Sequence, residues 1–157
     1  VYAGRGENFA LGLLRKAANA TALRVVNDQF GAPTSAELLA DSCAHALRVA
    51  MARPEVAGTY HVAATGSTHW HGYACHLIET ARSLGWPVQL QATQIEAVAS
   101  AAWLCAAKRP LNGRLDTRKF CQMFGLNLPD WRIGVDRLLG ELTPAVLSSS
   151  TVVEGHR

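Results

Sequence analysis

Long apolar runs are missing from this 157-residue sequence. The longest, Ile95 to Ala107, is broken by Glu96 and falls short of the ~18 residues that span a bilayer, so a soluble chain with no membrane partner is expected. Cysteine is scarce as well. Cys43, Cys75, Cys105 and Cys121 lie 32, 30 and 16 residues apart, with no Cys-x-x-Cys pair. Reduced thiols and a cytoplasmic location follow from that pattern. The opening Val-Tyr-Ala-Gly-Arg-Gly-Glu lacks the basic-then-apolar order of a signal peptide. A large excess of one charge is absent too: 15 basic minus 12 acidic groups leave +3, too little to argue for a nucleic-acid partner. There is no internal repeat and no low-complexity stretch apart from the Ser-Ser-Ser-Thr segment near the end.

Several catalytic signatures are incomplete. Gly4-Arg5-Gly6-Glu7-Asn8-Phe9 starts like a dinucleotide fingerprint, but Phe9 stands where a third glycine would let helix and strand approach. A helix-entry turn is the better reading. A tyrosine followed four residues later by lysine would lower the phenol pKa for carbonyl reduction. The residues four after Tyr2, Tyr60 and Tyr73 are Gly6, Ala64 and Leu77, so that pair is lacking. No Gly-x-Ser-x-Gly elbow supports a triad of Ser35, His45 and Asp41. His71 and Cys75 fall on one helical face near His69 and His76, but no fourth ligand is spaced for zinc. Solvent-facing or capping histidines are expected instead.

What is present is a globular composition, 49% hydrophobic and 17% charged, in a chain of single-domain length. Helical periodicity runs through Asn8–Ala20, and Leu23–Asn27 is a short β-branched strand. The turn Asp28-Gln29-Phe30-Gly31-Ala32-Pro33 follows. Thr34-Ser35-Ala36-Glu37 fits a capping box, and Leu39, Cys43, Leu47 and Ala50 line one face of the helix behind it. Thr59–Ala64 and Val88–Leu90 read as strands. A helix from Ser67 or Thr68 uses Tyr73, Leu77, Ala81 and Leu84. Leu115–Met123 makes a short helix capped by Asp116, and Val135, Leu138, Leu139 and Leu142 mark the last one. The fold class is therefore α/β, mostly helices with a few short strands, too few for a complete Rossmann sheet. Residues 1–143 form the folded part and 144–157 a loose tail.

Positive charge is unevenly placed. Lys108, Arg109, Arg114, Arg118 and Lys119 fall within twelve residues, against one acid, Asp116. In Lys108-Arg109-Pro110-Leu111-Asn112-Gly113-Arg114, proline and glycine hold an irregular loop while the guanidinium groups match phosphate geometry. A phosphate or diphosphate site is one reading; a merely exposed basic loop and a nucleic-acid contact are the others.

Several stretches together resemble the dTDP-4-dehydrorhamnose reductase family of extended short-chain dehydrogenases. They are Val1-Tyr2-Ala3-Gly4 with Asn8-Phe9; Asn27-Asp28-Gln29-Phe30-Gly31-Ala32-Pro33-Thr34; Ala36-Glu37-Leu38-Leu39-Ala40-Asp41; Val56-Ala57-Gly58-Thr59-Tyr60-His61; Thr68-His69-Trp70-His71-Gly72-Tyr73-Ala74; Arg109-Pro110-Leu111-Asn112-Gly113-Arg114-Leu115-Asp116-Thr117-Arg118-Lys119-Phe120; and Leu128-Pro129-Asp130-Trp131. The chain departs from the family at Trp103–Ala107, where a proline-bearing stretch is usual. The resemblance covers Val1 to about Leu142 and implies the C-terminal, substrate-binding half. The whole family enzyme reduces dTDP-4-dehydro-L-rhamnose to dTDP-L-rhamnose with NADPH or NADH, and its glycine fingerprint and catalytic Tyr and Lys belong to the other half. The chain alone is then expected to be inactive. By the same resemblance, a magnesium ion joins a homodimer through glutamates, with Glu37 and Glu141 at matching positions. Arg109, Asn112 and Arg114 are expected to face the nucleotide diphosphate of a dTDP-sugar, with Gln29 and Thr34 on the opposite wall. Alternatively Arg114 pairs with Asp116 or Asp130 and only pins the loop. A second reading is a non-catalytic interaction module, since the regulatory subunit of methionine adenosyltransferase resembles the same reductases.

Overall fold

The structure, a computed structural model, describes residues 1–102 and 109–147. Cys105, Lys108 and the departure at Trp103–Ala107 lie outside the described residues, as does the chain beyond Leu147.

Helix α1 (Phe9–Ala17) starts where Asn8, in extended conformation, accepts a bond from the Leu11 N–H and donates one to the Ala3 carbonyl. Arg15 and Lys16 in its last turn complement the helix dipole. Strand β1 (Leu23–Val26) follows, then the two-residue β2 (Phe30–Gly31) and the long α2 (Ala36–Ala52). Ser35 caps α2 by accepting from Leu38 N–H, which puts Glu37 at the second helical position and not the third. The expected capping box is thus shifted by one residue. Most of the inward face moves with it: Leu38, Ser42, Ala46 and Val49 turn inward beside the expected Ala50, whereas Leu47 is 63% exposed and Cys43 is exposed.

β3 (Thr68–His69) pairs antiparallel with β2, setting Phe30 opposite His69 and Gly31 opposite Thr68. It leads into α3 (Trp70–Ser83), capped by His69 itself. The expected strands at Thr59–Ala64 and Val88–Leu90 do not form. The amide of Ala64 goes to the Thr34 hydroxyl, and the amides of Gln89 and Leu90 both go to the Ala17 carbonyl at the end of α1. These amides are spent on partners outside any ladder. The strand that does form, β4 (Ile95–Val98), lies inside the apolar run and pairs parallel with β1, from Leu23 opposite Ile95 to Val26 opposite Val98.

Helix α4 (Arg118–Phe124) begins later than expected, with Thr117 and not Asp116 at its cap, and ends at Gly125. Helix α5 (Trp131–Glu141) is capped by the Asp130 carboxylate. The turn just before β3 packs against this cap and requires Gly66: its φ is +80°, and a Cβ there would lie 2.5 Å from Asp130 Oδ2. Pro144–Leu147, expected to start the loose tail, form a 3₁₀ turn instead. Val146 and Leu147 pack on the core, and the Val146 carbonyl accepts from Arg15.

The main core joins α1, α3 and α5 with the β1–β4 ribbon. Leu11, Leu14, Leu77, Ile78, Trp131, Val135 and Leu139 are essentially removed from water. A smaller cluster of Val56, Phe120, Phe124 and Leu128 seals α4 against the inner face of α2. Burying one such side chain contributes roughly 1.5–3 kcal/mol. The main core therefore fixes α3 firmly, and the start of α3 forms one wall of a cavity.

Candidate functional site

Tyr2 opens the site. Its amide donates to the Thr34 carbonyl and its own carbonyl accepts from Ala36 N–H, so the chain start is tied beside the Gly31–Pro33 turn. Phe30 ties the same turn to the basic loop. Its amide donates to the Leu111 carbonyl and its carbonyl accepts from Gly113 N–H, both at 2.8 Å. A cavity of about 290 Å³ lies between these segments. Its floor is aromatic: Phe9 packs 4.7 Å from Trp70 and 5.4 Å from Tyr73, ring centre to ring centre. Its rim is polar, with Gln29 and His69 on the turn side and Arg109 on the loop side.

Gln29 and Arg109 are therefore brought to one cavity. Asn112 and Arg114 stand just outside it. The Asn112 side-chain oxygen accepts from Arg114 Nε at 2.8 Å, and the Arg114 guanidinium lies 5.8 Å from the centre of the Phe30 ring. Arg114 pairs with neither suggested acid. Asp116 is taken by Arg118, at 2.6 Å, and Asp130 by Arg132. The Arg118 guanidinium and amide hold the Asp116 carboxyl down to about 2. Thr34 serves the structure of the turn and not the cavity wall. Its buried hydroxyl donates to the Ala32 carbonyl and accepts from Ala64 N–H, which closes the turn.

His69 and Phe30 are not among the binding residues that the sequence suggests. An aromatic placed directly before Gly-Ala-Pro is the available signal. His69 caps α3 through Nδ1, which accepts from Gly72 N–H at 3.0 Å. Protonation would turn that acceptor into a donor and break the cap. Partial burial, reinforced by neighbouring His71, holds the imidazole below its ordinary value. A folded-state pKa below the unfolded one means that stability is complete above about pH 6.5 and is lost as pH falls through the folded value. Melting curves from pH 8 to pH 5 should fall on the acid side, and His69→Ser, which retains a capping hydroxyl, should flatten that fall.

His71 and His76 have protein partners. His71 Nε2 donates to the Ile95 carbonyl at 2.8 Å and its ring touches Cys75; His76 meets Asp136 at 2.8 Å. Among the described residues no three His, Cys, Asp or Glu side chains converge on a metal position. Ser35 caps α2 while His45 bonds the Phe124 carbonyl, so no triad assembles. Glu37 is exposed, and the Glu141 carboxylate is held by Arg137 at 2.6 Å. A hard divalent ion takes about six oxygen ligands, so an exposed Glu37 and a Glu141 already paired with Arg137 do not form its site within one chain. Nor does the Gly4–Gly6 loop suit a dinucleotide: Phe9 fills the helix start, and Asn8 already satisfies the Leu11 donor.

A larger groove of about 550 Å³ lies along α4, lined by Arg53, Arg118 and Lys119. Its cations are already engaged, by Glu55, Asp116 and the Thr59 carbonyl. The smaller cavity, where Arg109 has no such partner among the described residues, is the better ligand site.

Helices over a minimal parallel ribbon, with a cavity between a Gly-Pro turn and a basic loop, define a ligand-binding part of an α/β protein. The chain belongs to the RmlD substrate binding domain family, whose sequence model matches residues 1–143. It is 54% identical over 142 residues to a dTDP-4-dehydrorhamnose reductase of Escherichia coli strain K12, covering 90% of this chain and 47% of that protein. It is 37% identical over 146 residues to the reductase of the same name from Burkholderia thailandensis, covering 90% and 49%. Among solved structures, the Bacillus anthracis dTDP-4-dehydrorhamnose reductase in complex with NADP superposes with a TM-score of 0.75 at 25% identity, over 88% of this chain and 44% of that one. The chain thus spans about half the length of the relatives it matches.

Proposed function

We propose that residues 1–143 are the nucleotide-sugar-binding part of a dTDP-4-dehydrorhamnose reductase, with the Pro144–Leu147 turn packed against it. The observation that carries the reading is the meeting of Arg109 with the Gln29–Phe30 turn across one cavity. Two phosphates need compensating donors, and Arg109 offers a guanidinium with no protein anion beside it among the described residues. Asn112 and Phe30 hold Arg114 next to it as a second positive group. Gln29 adds an orientable amide on the facing wall, and the aromatic floor excludes water from the sugar.

NADPH, when bound elsewhere in the whole enzyme, supplies the hydride for the 4-keto group; the solved relative with NADP supports that cofactor. The residues of this chain bind and orient the substrate. Burial pushes the phenols of Tyr2 and Tyr73 well above their ordinary range, so neither is tuned to give a proton to the ketone. The purified 157-residue chain should therefore bind dTDP in calorimetry yet give no NADPH oxidation with the nucleotide sugar. Turnover by this chain alone would overturn the division of labour.

The free thiols of Cys43, Cys75 and Cys121 suit a reducing, cytoplasmic setting. Glu37 and Glu141 are proposed to meet magnesium only where the carboxylates of a second copy complete the ligand set of a homodimer. In the whole enzyme, sedimentation should then show a magnesium-dependent dimer that Glu37→Gln weakens. A dimer indifferent to both magnesium and this substitution would remove the assignment.

A further inference from the structure

His69 is an unusual helix cap. Serine, threonine, aspartate and asparagine are the common ones, and an imidazole differs from them in having a second nitrogen. Here Nδ1 accepts from Gly72 N–H, which makes it the unprotonated nitrogen of the neutral ring and leaves the proton on Nε2. Gly72 permits this arrangement, since a Cβ there would lie 2.6 Å from Thr68 Oγ1 and 3.4 Å from His69 Cε1. The ring is fixed on two further sides. It stands edge-on to Phe30 with centroids 5.4 Å apart, and it stacks on His71 at 5.8 Å. Its backbone is paired with Phe30 in the β2–β3 ladder. Among the described residues Nε2 has no hydrogen-bond partner, and the ring lines the same cavity as Arg109.

We propose that His69 is a further substrate-contacting residue, its Nε2–H donating to a diphosphate oxygen of the nucleotide sugar in the cavity shared with Arg109. The proposal rests on the diphosphate reading of that cavity. A donor whose tautomer and ring plane are set before the ligand arrives loses little freedom on binding, which is the condition under which one hydrogen bond contributes most. Neutrality adds selectivity: the cavity then carries the positive charge of Arg109 and a directional donor, not two mobile cations.

The test uses the 157-residue chain with ¹⁵N-labelled histidine and two probes, dTDP and thymidine. The free protein should show His69 protonated at Nε2, and dTDP should shift that signal while thymidine leaves it in place. His69→Ser, which keeps a capping hydroxyl, should hold the melting temperature at pH 7.5 and weaken dTDP binding at least about tenfold. If dTDP binds through Arg109 while His69 stays unmoved and the serine variant binds normally, this inference fails and the diphosphate reading stands. An equal shift with thymidine also overturns it, by placing the contact on the base or sugar. Absence of dTDP binding to the chain overturns both.

Discussion

Replacing Arg109 by alanine raises KM for the nucleotide sugar by roughly ten- to a hundredfold and leaves the melting temperature unchanged. A charge-assisted bond to phosphate contributes roughly 1.5–3 kcal/mol, which converts to that range. The measurement requires an active protein. A chimera in which residues 1–143 replace the matching stretch of the 54% identical Escherichia coli reductase supplies one. Arg109 is exposed on the cavity rim and the structure gives it no protein acid among the described residues, so its removal strands no buried group. Arg114→Ala should act more weakly on KM, because that guanidinium stands outside the cavity, engaged by Asn112 and lying over Phe30. A lowered melting temperature with unchanged KM for Arg109→Ala would make the loop structural.

Trp131→Ala produces the largest loss of stability, about 3–5 kcal/mol, seen as a fall of roughly 10–15 °C in the melting temperature. Trp131 is 2% exposed at the first position of α5 and meets Tyr73 edge-on at 6.0 Å and His76 at 5.1 Å. Its indole N–H has no partner among the described residues, so the loss is one of packing and not of a hydrogen bond. Neighbouring Arg132 provides the control. Its guanidinium lies 4.7 Å above the Trp131 ring and pairs with Asp130, but it is more than half exposed. Exposed pairs of this kind contribute about 0–1 kcal/mol, so Arg132→Ala should cost no more than that. Comparable losses for the two variants would mean that the exposed contacts, and not the buried indole, anchor α5.

Much of the fold is legible in the residues. Apolar spacing locates the helices, because α1, α3 and α5 bury one stripe each and expose the rest. Strands are harder. Ile95–Val98 is hidden in an apolar run that fits helix or strand equally, and only its pairing with Leu23–Val26 decides the matter. Thr59–Ala64 has strand composition, but the Thr34 hydroxyl takes the Ala64 amide, a long-range event invisible to local propensity. The shift of the α2 face has a one-residue cause: Ser35, not Thr34, is the cap, since the Thr34 hydroxyl is used to close the turn. For the site, charge density picks out the loop that carries Arg109. Nothing local in the sequence places His69 opposite Phe30, because that pairing spans 39 residues and depends on the β2–β3 ladder.

Turnover by the unsubstituted chimera tests the central claim most directly. With NADPH and dTDP-4-dehydrorhamnose, residues 1–143 grafted onto the Escherichia coli N-terminal half should restore NADPH oxidation with a KM close to that of the parent reductase. A chimera that folds and binds NADPH, yet neither binds dTDP nor turns over the nucleotide sugar, would contradict the assignment of this chain as the substrate-binding part.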